Sequence, residues 1–352
     1  MPDWLSSMQQ TFEYYVVDPN TWKDAKRLDN VISCTINRDL EAETLGSASI
    51  SMADSLGECY IRVYLITIQN GVREKHPLGT YLIQTPSSSF DGKIRNISMD
   101  AYTPLIELKE DKPDLGYYIA KKENVMDYVY RLAREHARAP VTKTECATKL
   151  FSNFVADTED TWLSFLSDLA SNAKYRFSLD ELGRILLSPN QDTASLQPVW
   201  TYTDNNSSIL HPNLTMDHDL YGIPNVVEVL YSDANEYYYA VAVNDDPNSP
   251  VSTVNRGRRL PHRVTNPSVI GDPTGNQVKE YAERLLKELS TVEYKVSYTH
   301  GYCPVRLGDC VRFEHNRAQL KGVKAKVISQ SIKCEPGCPV TETAVFTTKL
   351  WG

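Results

Sequence analysis

The pattern of apolar and polar residues reads mainly as strands over the first 110 positions of the chain. Val31, Ser33 and Thr35 alternate with Ile32, Cys34 and Ile36, the period of two that a strand imposes. Residues 60–68 form the clearest predicted strand, with Ile61, Val63 and Leu65 on one face and Tyr60, Tyr64 and Ile66 on the other. A strand apolar on both faces is expected to be covered on both. Asn70-Gly71 follows directly, a dipeptide that accepts the positive φ angles of a tight hairpin turn. Residues 79–85 and 94–102 complete an expected antiparallel set, and the Glu-rich segment 38–46 reads as an exposed connection or hairpin.

The pattern then changes period. Asn124 is placed to cap a helix whose stripe is Val125, Val129, Leu132 and His136, closed by Pro140. A second helix is expected from Asp157 or Thr158, burying Trp162, Phe165, Leu166 and Leu169. Residues 175–179 and 184–188 read as a hairpin turned by Asp180-Glu181-Leu182-Gly183. Residues 189–224, rich in Asn, Asp, Ser and Pro, read as a long connection with short strands.

From Asn225 strands return, at 226–231 and 237–243, followed by a long loop. Thr274-Gly275-Asn276-Gln277 fits a capping box for a helix whose apolar face is Val278, Tyr281, Ala282, Leu285 and Leu289. Further strands are expected at 294–299, 310–313, 323–332 and 340–350, with a turn at Leu307-Gly308-Asp309. The plan is strand-rich, then small α+β, then strand-rich with one helix, and no sequence repeat accompanies it. No catalytic motif interrupts the series from Asn225 to Ile332, which suggests a region built to pack against neighbours.

At 352 residues the chain is long enough for two to four compact units. Hydrophobic residues at 41% and charged residues at 23% place it with soluble globular proteins. Tyrosine is abundant, 21 against 8 Phe, which suits strand faces that are half buried or become buried in an interface. Met1-Pro2-Asp3-Trp4-Leu5 is not a secretory signal, and no apolar run approaches the roughly 20 residues that span a bilayer. A chain made in the cytosol without a membrane anchor is therefore expected, and its seven cysteines, with no Cys-x-x-Cys pair, read mainly as small buried hydrophobes.

The net charge of −8 is unevenly spread: residues 251–330 hold 14 Lys and Arg against 7 Asp and Glu, whereas residues 1–250 hold 21 against 36. Such asymmetry favours pairing between unlike faces of neighbouring subunits. The rival reading is a nucleic-acid site at Arg256, Arg258, Arg259 and Arg263, but the surrounding residues match no groove-reading module.

The chain has no His-Glu-x-x-His, no Gly-x-Ser-x-Gly and no phosphate-binding loop. Three constellations could carry chemistry. His211 with Asp217, His218 and Asp219 offers metal-ligand types, against a polar surface loop as the simpler account. His300, Cys303, Cys310 and His315 offer zinc-ligand types, at a spacing that fits no zinc module. Asp245-Asp246-Pro247-Asn248 could hold calcium, although turn chemistry explains the same residues. Cys334 and Cys338 flank the turn Glu335-Pro336-Gly337, where a disulfide is geometrically feasible but disfavoured in a reducing compartment. Asn96-Ile97-Ser98 and Asn213-Leu214-Thr215 are chance matches to the glycosylation triplet. The expectation is no catalytic, cofactor-binding or metal-ligating residue.

In their order along the chain, several segments resemble the tail hub proteins of bacteriophages. Val31-Ile32-Ser33-Cys34-Thr35-Ile36-Asn37-Arg38 and Gly79-Thr80-Tyr81-Leu82-Ile83 are similar to the first β-domain of that family. Thr161-Trp162-Leu163-Ser164-Phe165-Leu166, Tyr175-Arg176-Phe177 and Gly183-Arg184-Ile185 are similar to its small middle unit. Asn225-Val226-Val227-Glu228-Val229, the helix at 275–289 and Arg306-Leu307-Gly308-Asp309-Cys310-Val311 are similar to its closing β-domain.

The resemblance implies an α+β, predominantly β fold: two tail-tube-like β-barrel or sandwich domains bracketing a small α+β unit. The boundaries expected are an N-terminal arm at 1–25, a first tube-like domain at 26–112, the α+β unit at 113–190, a connecting segment at 191–224 and a second tube-like domain with one helix at 225–352. The arm, with Trp4, Phe12, Tyr14, Tyr15 and Trp22, matches nothing in the family and is expected to pack on a neighbouring subunit.

The function implied is that of a non-enzymatic structural virion protein, a baseplate hub at the tail tip. It would form a homotrimeric ring that adapts the sixfold tail tube to a threefold spike or fibre and lines the DNA channel. The expected partners are the chain itself, a tail tube or distal tail protein, a central spike or fibre protein and a tape measure protein, with DNA only in passage. An acidic majority suits a lumen that passes DNA without holding it. Assembly is expected in the host bacterial cytoplasm. Because the chain ends at Gly352, any wall-degrading activity is expected to belong to another protein. The alternatives are a tail-associated cell-wall hydrolase, which predicts a cleft with perturbed acids or a metal, and a carbohydrate-binding β-protein, which predicts an exposed aromatic groove on a monomer.

Overall fold

The computed structural model describes residues 2–53, 56–90, 92, 95–232, 237–267 and 274–351. The chain opens with seven strands: β1 (Gln9–Asp18), β2 (Lys23–Leu28), β3 (Val31–Asp39), β4 (Gly46–Met52), β5 (Tyr60–Gln69), β6 (Val72–Phe90) and β7 (Arg95–Tyr102). A mixed stretch follows: α1 (Ile106–Glu110), β8 (Tyr118–Ile119), α2 (Val125–His136), β9 (Phe154–Val155), α3 (Trp162–Asn172), β10 (Tyr175–Leu179) and β11 (Ile185–Pro189). Then come β12 (Pro198–Thr203), β13 (Leu210–His218), β14 (Val226–Ser232), β15 (Tyr237–Val243), α4 (Thr253–Arg256), β16 (Pro261–Thr265) and α5 (Gly275–Leu289). β17 (Thr291–Gly301), β18 (Cys310–His315), β19 (Leu320–Lys333) and β20 (Pro339–Lys349) complete the order. The fold is α+β and predominantly β, built on a large, mainly antiparallel sheet. Ile94 and the side chain of Asn96, which the sequence reading placed in a strand and in a glycosylation triplet, lie outside the described residues, as does the turn between β14 and β15.

Two compact units emerge: residues 1–214 with 298–344, and residues 215–297 with 345–352. These boundaries differ from the expected ones at 112, 190 and 224. The cause is a non-local pairing in the first unit, where Ser329–Lys333 of β19 runs antiparallel to Thr35–Asp39 of β3. Residues 1–25, read as an arm for a neighbour, instead supply β1, which pairs with β5 from Gln9↔Ile68 to Val17↔Tyr60. Their aromatic residues have a local use: Trp4 and Phe12 pack against the core of the sheet, and Trp22 meets Tyr60 edge-on.

β5 is buried from Tyr60 through Thr67, as apolar side chains on both faces require. Ile61, Val63 and Leu65 join Ile36, Ile50 and Met99 in the main core. Arg62 is 4% exposed on the other face, and its guanidinium makes four hydrogen bonds. It donates to Thr80 Oγ1 (2.9 Å), Asp24 Oδ1 (2.9 Å), the Trp22 carbonyl (3.2 Å) and the Leu182 carbonyl (3.0 Å). Trp22 Nε1 also donates to the Leu182 carbonyl at 2.8 Å. A buried charge is tolerated only with such partners, so these bonds fix the β10–β11 hairpin against the sheet.

In the mixed stretch, Asn124 caps α2 by accepting from the Asp127 amide at 3.1 Å. Val125, Val129 and Leu132 pack with Trp162, Phe165, Leu166 and Leu169 of α3. α3 starts later than the sequence suggested, because Asp157 closes a turn with the Asp160 amide and Thr161 takes the cap in a reciprocal box with Ser164. The connection at 189–224 contains β12, which pairs in parallel with β18.

In the second unit β15, β14 and β16 form a three-stranded sheet. α5 begins at the expected Thr274–Gln277 capping box and lays Val278, Ala282 and Leu286 on one face of that sheet. β16 lies in the segment read as a loop; its partner is β14, in parallel register from Val226↔Pro261 to Leu230↔Thr265. Among the described residues no helix is long and apolar enough to cross a membrane.

Asn70 and Gly71 have φ of 50° and 77°, the left-handed pair that closes the β5–β6 hairpin. A Cβ on Gly71 would meet nothing within 4 Å, so a substitution there tests backbone conformation alone. Gly71→Val is expected to lower stability by about 1–2 kcal/mol, since a β-branched residue resists positive φ. The check is a fall in urea midpoint at unchanged denaturant slope.

Candidate functional site

A buried group of polar side chains lies inside the first unit, where β12, β17, β19 and β20 bring Tyr202, Tyr298, His300, Gln330 and Glu342 together. Alternation along β17 turns Val296, Tyr298 and His300 inward, and Glu342 occupies an inward position of β20. His300 Nε2 lies 3.3 Å from Glu342 Oε2 and 3.1 Å from the Tyr202 hydroxyl, and its Nδ1 lies 2.6 Å from the Gly301 carbonyl. Tyr298 donates to Glu342 Oε2 at 2.6 Å, and Gln330 Nε2 donates to Glu342 Oε1 at 2.5 Å and to the Val305 carbonyl at 2.9 Å.

Burial disfavours a charged imidazole, but bonds to Cys303 and Glu342 and the Glu342 charge outweigh it, raising His300 to about 10. Burial likewise disfavours the Glu342 carboxylate, yet the bond and charge of His300 and the bonds from Tyr298 and Gln330 hold it below the usual range. Burial, then the Glu342 charge, pushes both tyrosine hydroxyls far upward. The group is a hydrogen-bonded ion pair roofed by aromatic rings, with Phe313 edge-on to Tyr298 at 5.0 Å. His300 and Glu342 are 0% exposed and Gln330 3%, so no substrate reaches them from solvent. The chemistry open to the cluster is internal: it fixes which strands pack together.

The residues singled out from the sequence are distributed differently. Of His300, Cys303, Cys310 and His315, only the first two meet, at 3.9 Å between Nδ1 and Sγ. Cys310 Sγ contacts the Val311 carbonyl, and His315 Nδ1 accepts from the Ala318 amide. His211 is exposed on β13, His218 stacks on Tyr294 at 4.8 Å, and Asp219 closes a turn by accepting from the Tyr221 amide. Asp246 Oδ1 accepts from the Asn248 amide, the turn chemistry anticipated as the alternative to calcium. Cys334 and Cys338 are free thiols, and the Cys334 amide donates to the Cys34 carbonyl across the β3–β19 ladder. Among the described residues no group of three or more acidic, His or Cys side chains is arranged to hold a metal.

The basic loop is largely occupied. Arg256 donates to the Ile223 and Leu220 carbonyls at 2.7 and 2.6 Å, and Arg259 and Arg263 both reach Glu228, at 3.3 and 2.8 Å. That ion cluster lies on the face of the second unit's sheet opposite α5. The same face carries Tyr237, Tyr239 and Val243, 68%, 55% and 40% exposed. Sequence reading missed the roles of Tyr202, Gln330 and Glu342; a charged residue inside a strand otherwise apolar on alternate positions was the one local sign, at Glu342.

No family model and no curated protein matches the chain. Solved structures do. A tail protein from Neisseria meningitidis MC58 is 14% identical over 96% of this chain and 97% of its own, with a TM-score of 0.64. The 43 kDa tail protein of prophage MuSo2 from Shewanella oneidensis is 11% identical over 95% of this chain and 98% of its own, at 0.62. Prophage tail protein gp18 from Listeria monocytogenes is 11% identical, covering 94% of each chain at 0.51. The chain has the fold of these tail proteins.

His300→Ala and Glu342→Gln each break a buried pair and are expected to cost about 3–5 kcal/mol. The wild-type advantage over Glu342→Gln has a defined pH window. The His300 contribution is complete below its unfolded value of 6.5 and is lost as pH rises through about 10. The Glu342 contribution is complete above 4.5 and is lost as pH falls through its depressed value. The advantage is therefore expected to be greatest between these limits, measured as the difference in unfolding free energy across a pH series.

Proposed function

We propose that the chain is a structural component of a phage tail or a phage-derived particle, and within it the hub at the distal end of the tail tube. The observation that carries this reading is the fold likeness to two tail proteins along nearly the full length of all three chains. The buried His300–Glu342 pair is sealed in a core, which favours a structural role over the hydrolase alternative. In this reading three copies form a ring that meets the sixfold tube, or a distal tail protein, on one side and a threefold spike or fibre on the other. The tape measure protein and the DNA pass through its lumen, and the particle is assembled in the host cytoplasm.

The contact we assign to the ring is with a second copy of this chain, through the sheet face that carries Tyr237, Tyr239 and Val243. Exposed aromatic residues beside an ion cluster suit an interface core with a polar rim. The basic balance of residues 251–330, which contribute β16 to this face, complements the acidic balance of residues 1–250 on a neighbour.

Native mass spectrometry of the purified chain is expected to give a trimer, and purified particles are expected to contain it at a trimer's stoichiometry. A chain that stays monomeric at high concentration and is absent from particles overturns the hub reading. Tyr239→Asp is expected to weaken self-association by about tenfold or more with an unchanged melting temperature of the monomer. An unchanged trimer affinity removes this face from the interface.

A further inference from the structure

A cavity of about 260 Å³ opens within the first unit, between the strands around Thr80, the β10–β11 hairpin and the turn that precedes β18. It has room for a small organic group. Leu45, Leu186 and Leu307 give it apolar walls. Three arginines line it as well, Arg38, Arg176 and Arg306, and they differ in what they already hold.

Arg38 donates to Gln330 Oε1 at 2.9 Å and to the Leu78 carbonyl. Arg306 pairs with Glu181 at 2.7 Å. Arg176 is half-buried, its Nε is sealed from solvent without an acceptor, and no ion pair reaches its guanidinium among the described residues. Burial alone moves its pKa, downward, as expected for a cation without a counter-charge. Lys326 nearby is depressed by its own burial and by the charge of Arg176, against the opposing charge of Asp192.

The acids that line the cavity do not answer that charge. Asp180 is held by Arg184, Glu181 by Arg306, and Asp309 accepts from the Arg306 amide at 2.9 Å while burial raises its carboxyl. Gly308 makes the placement of Arg176 feasible: a Cβ there would lie 2.6 Å from Arg176 Nη2. The chain thus keeps a half-buried guanidinium without a counter-charge among the described residues beside a chamber with leucine walls, at a position where an unanswered charge is costly.

We propose that this cavity is a binding site for a carboxylate carried on a short apolar stem, with Arg176 as its anchor. A carboxylate matches the planar fork of a guanidinium with two parallel hydrogen bonds, and the leucine walls take the stem. Such a group has two sources, a free aliphatic acid or the C-terminal residue of another polypeptide, and both present the same chemistry to Arg176. The site lies inside one chain, so its test does not depend on the proposed ring.

The test is calorimetric titration of the full chain with hexanoate, with its neutral isostere hexanamide, and with a short peptide ending in a free leucine carboxylate. Saturable binding of hexanoate or of the peptide at a dissociation constant of about 1 mM or tighter, without binding of hexanamide, is the expected result. Hexanoate binding without the peptide identifies a free acid as the source; tighter binding of the peptide identifies a chain terminus. Arg176→Gln is expected to weaken binding by at least about tenfold while its melting temperature stays equal or rises, since it removes an unpaired buried charge. Arg176→Lys is expected to recover part of the affinity, as a point charge without the fork. Equal binding of hexanamide, wild-type affinity in a folded Arg176→Gln, or no saturable binding of either carboxylate by the folded chain overturns the proposal.

Discussion

The antiparallel contact between β3 and β19 is the constraint on which the first unit rests. It joins Thr35–Asp39 to Ser329–Lys333, segments separated by nearly the whole sequence, and so closes late strands onto an early sheet. Its polar side chains are specified on both faces. Ser331 Oγ donates to Asn37 Oδ1 at 2.8 Å, and Arg38 donates to Gln330 Oε1 at 2.9 Å. Gln330 then spends its amide on Glu342 and the Val305 carbonyl, and Glu342 holds His300. A one-residue slip of β19 would turn Gln330 to the opposite face, strand Arg38 and leave the Glu342–His300 pair short of a donor. Register and ion pair are therefore one specification.

A second polar anchor works in the same manner at the other side of β5. Arg62 gathers a carboxylate, a hydroxyl and two carbonyls, one of them from the Leu182 turn 120 positions away. These anchors sit among apolar cores, Ile36, Ile50, Ile61 and Met99 around the first and Val17, Tyr60 and Leu82 around the second. Apolar burial supplies most of the driving force and is indifferent to small slips; buried charges that must find particular partners are what discriminate one packing from another. For a protein read as a ring subunit this division is useful, because a rigid interior keeps the outer faces in register with their neighbours.

The function proposed follows from the same economy of polar groups. Several arginines that could have met a ligand are committed within the chain: Arg256 to backbone carbonyls, Arg259 and Arg263 to Glu228, Arg62 and Arg38 to the core. The loop of arginines that could have read a nucleic acid is mostly engaged in holding its own unit together. The two proposals rest on an aromatic sheet face beside Tyr239 and on the guanidinium of Arg176, whose buried Nε has no acceptor among the described residues.

The elements whose cause is local were legible in the residues. The two-faced strand β5, the Asn70-Gly71 turn, the Asn124 cap, the Thr274–Gln277 box and the β10–β11 hairpin each depend on residues within a few positions of one another. The predominance of β structure and the absence of a short catalytic signature were legible for the same reason. Residues 1–25 and β16 were not, because they lack strong alternation and are strands only by virtue of the partners that β5 and β14 offer them. The buried cluster was hidden too: Tyr202, His300, Gln330 and Glu342 each look ordinary in sequence, and only folding brings them within hydrogen-bond reach. The sequence by itself determined periodicity, turns and caps, which are set by backbone dihedrals and neighbouring side chains. Tertiary structure alone decided the unit boundaries, the ion pair and the unanswered Arg176, because pairing between distant strands and the desolvation of charge are properties of the assembled core.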